Sequence, residues 1–137
     1  MGSWIMPARP RKENKVPVFP ILRGEAVGKT GEFIGHVVIV SSPKDLKRKW
    51  LPDHIAVLDQ SLERHFKANP KYLDDLFVKV KAVVAEFGES IGEFAASAYA
   101  HDAVGMVKIA DATKVLENGM HIRVRASENL GEIFFID

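Results

Sequence analysis

The chain has 137 residues, 47% hydrophobic and 27% charged, the length and balance of a single globular domain able to bury a sizeable core. It contains no cysteine, which excludes disulfides, thiolate zinc sites, cysteine-ligated iron–sulfur clusters and a cysteine nucleophile. The net charge of +1 is unevenly placed: through Arg23, five bases (Arg9, Arg11, Lys12, Lys15, Arg23) stand against Glu13, so this end carries +4 and the remainder −3.

No apolar run approaches the roughly 20 residues of a membrane-spanning helix. The N-terminus lacks the apolar stretch of a secretion signal, so a cytoplasmic protein without membrane contact is expected. Met6 offers an alternative start. Residues 1–16 are expected as a flexible basic arm, because Pro7, Pro10 and Pro17 oppose helix and apolar residues are sparse. The basic string PARPRKENK suits either an anionic partner or a solvated tail. The tail is the preferred reading, since no aromatic residues interleave the bases. Residues 17–137 are expected to form the one folded domain.

The string VPVFPIL reads as an edge strand or extended entry because of its two prolines. RGEAVGKTGE, with Gly24, Gly28 and Gly31, reads as a loop. GHVVIV (35–40) is a β-branched run and a predicted buried strand. In SSPKDLKRKW, Ser42 can cap a short helix with Pro43 in its first turn and Asp45 near its positive end. HIAVLD (54–59) is a second predicted strand. Residues 60 to about 76 read as helical or irregular, broken at Pro70, with Leu73, Leu76, Phe77 and Val80 at helical spacing. KAVVAEF (81–87) is a third strand, followed by Gly88. Ser90 and Glu93 form an S-x-x-E capping box for a helix reaching about Asp102, whose alanines permit close packing on a sheet. GMVKI is a strand, DATKVL a short helix stopped by Asn118-Gly119, and MHIRVRA a strand of period two with Ile122 and Val124 inward and Arg123 and Arg125 outward. A turn through ASENLGE leads to a last strand, IFFI. Short strands alternating with short helices predict an α/β layered domain.

Gly24 to Thr30 imitates a phosphate-binding loop. Only Glu25, Ala26 and Val27 separate its glycines where four residues are required, and a strand follows where a helix should open. A glycine-rich turn is the better account.

Four stretches taken in order resemble the phosphohistidine swivelling domain of phosphoenolpyruvate-utilising enzymes such as pyruvate phosphate dikinase: LRGEAVGKTGEFIGHVVIVSSPKDL, PDHIAVLD, VKAVVAEFGE and VGMVKIADATKVLENGMHIRVRASENLGEIFF. The likeness spans residues 21–136. It implies a swivelling β/β/α layered domain with a mixed sheet and short helices. In that family a glycine loop is followed by Ser-His, and the histidine carries phosphate between distant sites. Here Glu86 and Gly88 match, but the second loop glycine is Glu89, the serine is Gly92, the histidine is Glu93, and an arginine of the following helix is Tyr99. The resemblance therefore implies the scaffold without its carrier group.

Glu93 has three readings: a helix cap, a fixed charge that a partner recognises, or an acceptor of phosphate as an acyl phosphate. The cap is preferred. His101 lies about 12 Å along the helix from Glu93 and cannot replace it. His36, His54, His65 and His121 form no recognisable metal motif, so neither metal nor cofactor is expected. The favoured function is a non-catalytic subunit or interaction module whose partner is another protein chain, with Glu86, Gly88, Glu89, Ser90, Gly92, Glu93 and Tyr99 as its loop and contact residues. The alternatives are the mobile carrier of a split phosphotransferase, working with a nucleotide- or phosphoenolpyruvate-binding subunit, and nucleic-acid binding through the arm.

Overall fold

The computed structural model describes residues 19–88 and 92–136. The expected 1–16 arm, and Glu89 and Ser90 of the loop, lie outside the described residues. Seven strands follow in chain order: β1 (Leu22–Gly28), β2 (Gly31–Val40), β3 (His54–Leu58), β4 (Ala82–Ala85), β5 (Val104–Val107), β6 (His121–Ser127) and β7 (Leu130–Phe135). Among the described residues four α-helices lie between them: α1 (Glu63–Ala68), α2 (Pro70–Lys79), α3 (Glu93–Ala100) and α4 (Ala112–Val115). The α/β content agrees with the sequence reading, but the sheet closes into a barrel in the order β1-β5-β4-β3-β2-β6-β7. Strands β2, β3, β4 and β5 run parallel, and β1, β6 and β7 complete the barrel with antiparallel pairings.

Closure divides the apolar residues between two cores. Alternate residues of each strand point inward, so Ile55, Val57, Val84, Met106, Ile122, Val124 and Ile133 fill the barrel. The other face of β3, β4 and β5 carries Ala56, Leu58, Val83, Ala85 and Val107 and is roofed by α1, α2 and α3. This is why β3 is buried along its whole length and shows no alternation. On α2, Leu73, Leu76 and Phe77 turn to the sheet, as their spacing predicts. Phe77 meets Phe94 of α3 edge to face, ring centres 5.5 Å apart at 85°.

Strands β2, β6, β7 and the first half of β1 carry the barrel round from this helical roof. Their register sets Glu32 opposite Arg125, Arg125 opposite Glu132, and Glu132 opposite Arg23, an alternation of charge across four strands. Ile122 and Val124 point inward and Arg125 is exposed, as predicted, while Arg123 lies over the Phe134 ring at 4.5 Å.

Three local expectations are corrected. RGEAVGKTGE is not a loop: β1 runs to Gly28 and β2 begins at Gly31. Gly28 is required by close approach, since a Cβ there would stand 2.6 Å from both the Ala98 Cβ and the Ala103 carbonyl oxygen. The alanine-rich α3 packs directly on this strand, with Ala98 fully buried. The predicted helix after Ser42 is only a 3-10 turn over Pro43–Lys47, and the Ser42 side chain makes no cap bond. Finally, α3 starts at Glu93 with Gly92 as its N-cap, so Glu93 occupies the first helical position and not the third position a capping box needs.

Candidate functional site

Four parallel strands end on the same edge of the barrel, the usual place for binding groups in parallel sheets. After β2 come Ser41 and Ser42; after β3, Asp59, Gln60 and Ser61; after β4, Glu86, Phe87 and Gly88; after β5, Lys108. The start of α4 approaches the same edge, because the Thr113 hydroxyl lies 2.8 Å from Glu86 Oε2 and 3.3 Å from Asp59 Oδ1.

Glu86 is the centre of this polar group. Its Oε1 accepts from the Gln60 amide at 2.8 Å, and its Oε2 accepts from the Thr113 amide at 2.8 Å as well as from the Thr113 hydroxyl. One carboxylate thus joins the β3–α1 turn to the first turn of α4, where it satisfies an amide that the helix itself cannot. Asp59 forms a second junction, accepting from the Ser61 amide at 3.1 Å and from the Ser61 hydroxyl. The Ser61 hydroxyl holds the Asp59 carboxyl below the usual carboxylate range, against the opposing effect of burial.

That shift carries a pH signature. A depressed folded pKa means the stabilisation is present above the unfolded value of about 3.9 and is lost as pH falls through the folded pKa. Asp59→Asn should therefore cost on the order of 1 kcal/mol at pH 7. The difference from wild type should shrink below about pH 4. Urea denaturation at pH 7 and pH 3 checks this; an equal difference at both values would refute the assignment.

Beside Glu86 the chain passes through Gly88, whose φ of 110° favours glycine, and a built Cβ there would crowd Val107 Cγ1 at 3.0 Å. Next to this turn Phe66, Leu73, Phe87 and Phe94 line an apolar cleft of about 130 Å³, with Glu63, Lys67, Gly88 and Glu93 also lining it. Lys67 and Glu63 pair with each other at 3.8 Å along α1. Glu93 is exposed and has no side-chain partner among the described residues.

The structure therefore brings Glu86, Gly88 and Glu93 to one edge, with Gly92 adjoining at the helix cap. Tyr99 is separated from them: six residues along α3, it is 68% exposed and lies outside the cleft. His101 bonds Asp74 of α2 at 2.8 Å, which links two helices and leaves it remote from the loop. His36 and His121 stack at 4.6 Å between ring centres across β2 and β6, and His36 Nδ1 meets Asp53 Oδ2 at 2.8 Å. Among the described residues, no three histidine, cysteine or acidic side chains gather as a metal ion would require.

Sequence reasoning passed over Asp59, Thr113 and the four apolar residues of the cleft. Asp59 had a local signal: an acid closing an apolar run, with serine two residues on, is the pattern of a side chain folding back on its own turn. The aromatic lining had none, since phenylalanine at helical spacing reads only as core.

No family model and no curated protein matches the sequence. Solved structures do match. The holo-form of aconitase X from Thermococcus kodakaraensis is 18% identical, with a TM-score of 0.48 over 80% of this chain and 98% of that one. The solution NMR structure of a UPF0107 protein is 13% identical, with a TM-score of 0.60 over 84% of this chain and 99% of that one. The expected membership in the phosphohistidine swivelling family is corrected by these findings: the likeness runs to the UPF0107 structure, and the sheet closes where a layered domain was expected. The roles derived from that family, as a carrier or as a module that lost its carrier histidine, fall with it. At this identity, what the chain shares with the UPF0107 protein is its fold.

Proposed function

We propose that this chain works by binding another protein chain at the carboxyl edge of β4. One apolar side chain of the partner enters the cleft of Phe66, Leu73, Phe87 and Phe94, and a basic group of the partner lies against Glu93. The observation that carries this reading is the cleft itself. Its volume of about 130 Å³ is well below the roughly 300–1,000 Å³ of small-molecule pockets. It suits a single inserted side chain, and an apolar anchor site with charged groups at its rim has the anatomy of a protein contact. Glu93, exposed and unpaired among the described residues, supplies the charge that would orient the approach.

The test places a photo-crosslinking amino acid at position 93, and separately at position 114, in the full chain in its own cells. A defined partner should be trapped from 93 and not from 114. Once that partner is purified, Glu93→Lys should weaken binding about tenfold or more, since it sets like charges together. Because Glu93 is exposed, the variant should fold normally. Equal trapping from both positions, no trapping from 93, or wild-type affinity in Glu93→Lys would refute the proposal.

A further inference from the structure

A second cavity lies at the carboxyl end of β2, away from the apolar cleft and independent of the reading above. Ile39, Ser41, Lys44, Asp45, Lys47, Arg48 and Asn118 line about 460 Å³, a volume within the range of small-molecule sites. Three of these side chains are cationic, and Asp45 is the sole anion among them. Asp45 is engaged, because its Oδ2 accepts from the Ser41 amide at 3.0 Å. Lys44 and Lys47 have no carboxylate partner within 4 Å among the described residues. Arg48 donates Nε to the Lys49 carbonyl at 3.3 Å and lies 5.6 Å from the Trp50 ring centre. Its two terminal nitrogens remain for a ligand.

Asn118 adds direction. Its Oδ1 accepts from the Ile39 amide at 2.6 Å, which fixes the side chain and leaves its NH₂ group to donate. Three cations against one carboxylate, with a fixed amide donor beside them, select for negative charge. Arginine additionally favours planar or tetrahedral oxyanions that accept two parallel bonds. Like charges held together in excess of their counter-charge repel one another, and a bound anion relieves that cost.

We infer that this cavity binds a small molecule carrying two or more negative charges, with Lys44, Lys47 and Arg48 meeting its oxyanion groups and the Asn118 amide orienting it. The shared chemistry of phosphate and dicarboxylate groups satisfies the site, and direct measurement separates them.

The experiment titrates the full chain, ¹⁵N-labelled, with pyrophosphate and in parallel with succinate at low ionic strength. Saturable shifts should centre on the amides of residues 41–48 and 118 with at least one probe, and the tighter probe names the group. Lys44→Ala/Lys47→Ala should weaken that binding tenfold or more. Asn118→Asp keeps the acceptor for Ile39 and replaces the donor with a negative charge, so it should weaken binding as much without unfolding the chain. Shifts spread over other surface lysines, no saturation with either probe, or wild-type affinity in both variants would overturn the inference. So would displacement of the probe by a short oligonucleotide binding more tightly with a steep salt dependence, which would mark a nucleic-acid surface.

Discussion

Replacing Phe77 by alanine should lower the unfolding free energy by about 3–5 kcal/mol, the range for deleting a buried aromatic ring. Phe77 is 1% exposed, sits on the sheet-facing stripe of α2 and meets Phe94 edge to face. Its removal opens a cavity where α2, α3 and the outer face of the barrel meet. Collapse is hindered there, because Val83 and Ala85 belong to a strand held on both sides. A domain with about 5–15 kcal/mol of total stability would lose about a fifth or more of it. Val78→Ala, one residue on but 66% exposed, should change stability by about 0.5 kcal/mol or less. Denaturant titration of both variants gives the comparison. A loss below about 1 kcal/mol for Phe77→Ala would show that the helical roof does not pack on the barrel as described.

Glu86→Ala should cost about 2–4 kcal/mol, more than its partial exposure alone suggests. Three hydrogen bonds to an ionised carboxylate are lost together, and two of their donors are backbone amides, Gln60 and Thr113. Charged hydrogen bonds are worth roughly 1.5–3 kcal/mol each, and solvent screening discounts their sum. Glu86→Gln keeps one acceptor oxygen but turns an NH₂ towards a donor, so it should lose about half as much. Amide exchange at Gln60 and Thr113 should quicken in Glu86→Ala, because the two turns come apart there. Unchanged exchange at both amides would mean that Glu86 does not join them. Glu86 is thus a structural junction, whereas Glu93 has no such bonds among the described residues and is the residue of this edge that the proposed function sets against a partner.

Much of the barrel was legible wherever a pattern is local. MHIRVRA alternates with period two, and one face of β6 faces the interior while Arg125 faces water. Leu73, Leu76 and Phe77 repeat at helical spacing and do face the sheet. The strand at GHVVIV was recognised, though β2 is longer, because Gly31, Glu32 and Gly35 interrupt the apolar run before it. RGEAVGKTGE misled for the opposite reason. Its glycines argue for a loop by propensity, yet Gly28 is there because α3 presses on the strand. Close approach by a neighbour distant in the chain leaves the same residue as a turn does.

By itself the sequence determined the class of the domain, the inward and outward faces of its periodic strands and helices, and the absence of cysteine chemistry. These follow from composition and from the 2.0 and 3.6 periods, which each segment carries alone. Only the tertiary structure decided that the sheet closes, that Glu86 binds Thr113 and Gln60, that Asn118 faces Lys44 and Arg48, and that four apolar side chains leave a cleft beside Gly88. β1 pairs with β5 and β7, both far along the chain, and that register is set by which side chains fill one shared interior. A periodic pattern states which face is buried. It does not state against what, and a site built from several strand ends exists only once that partner has been chosen.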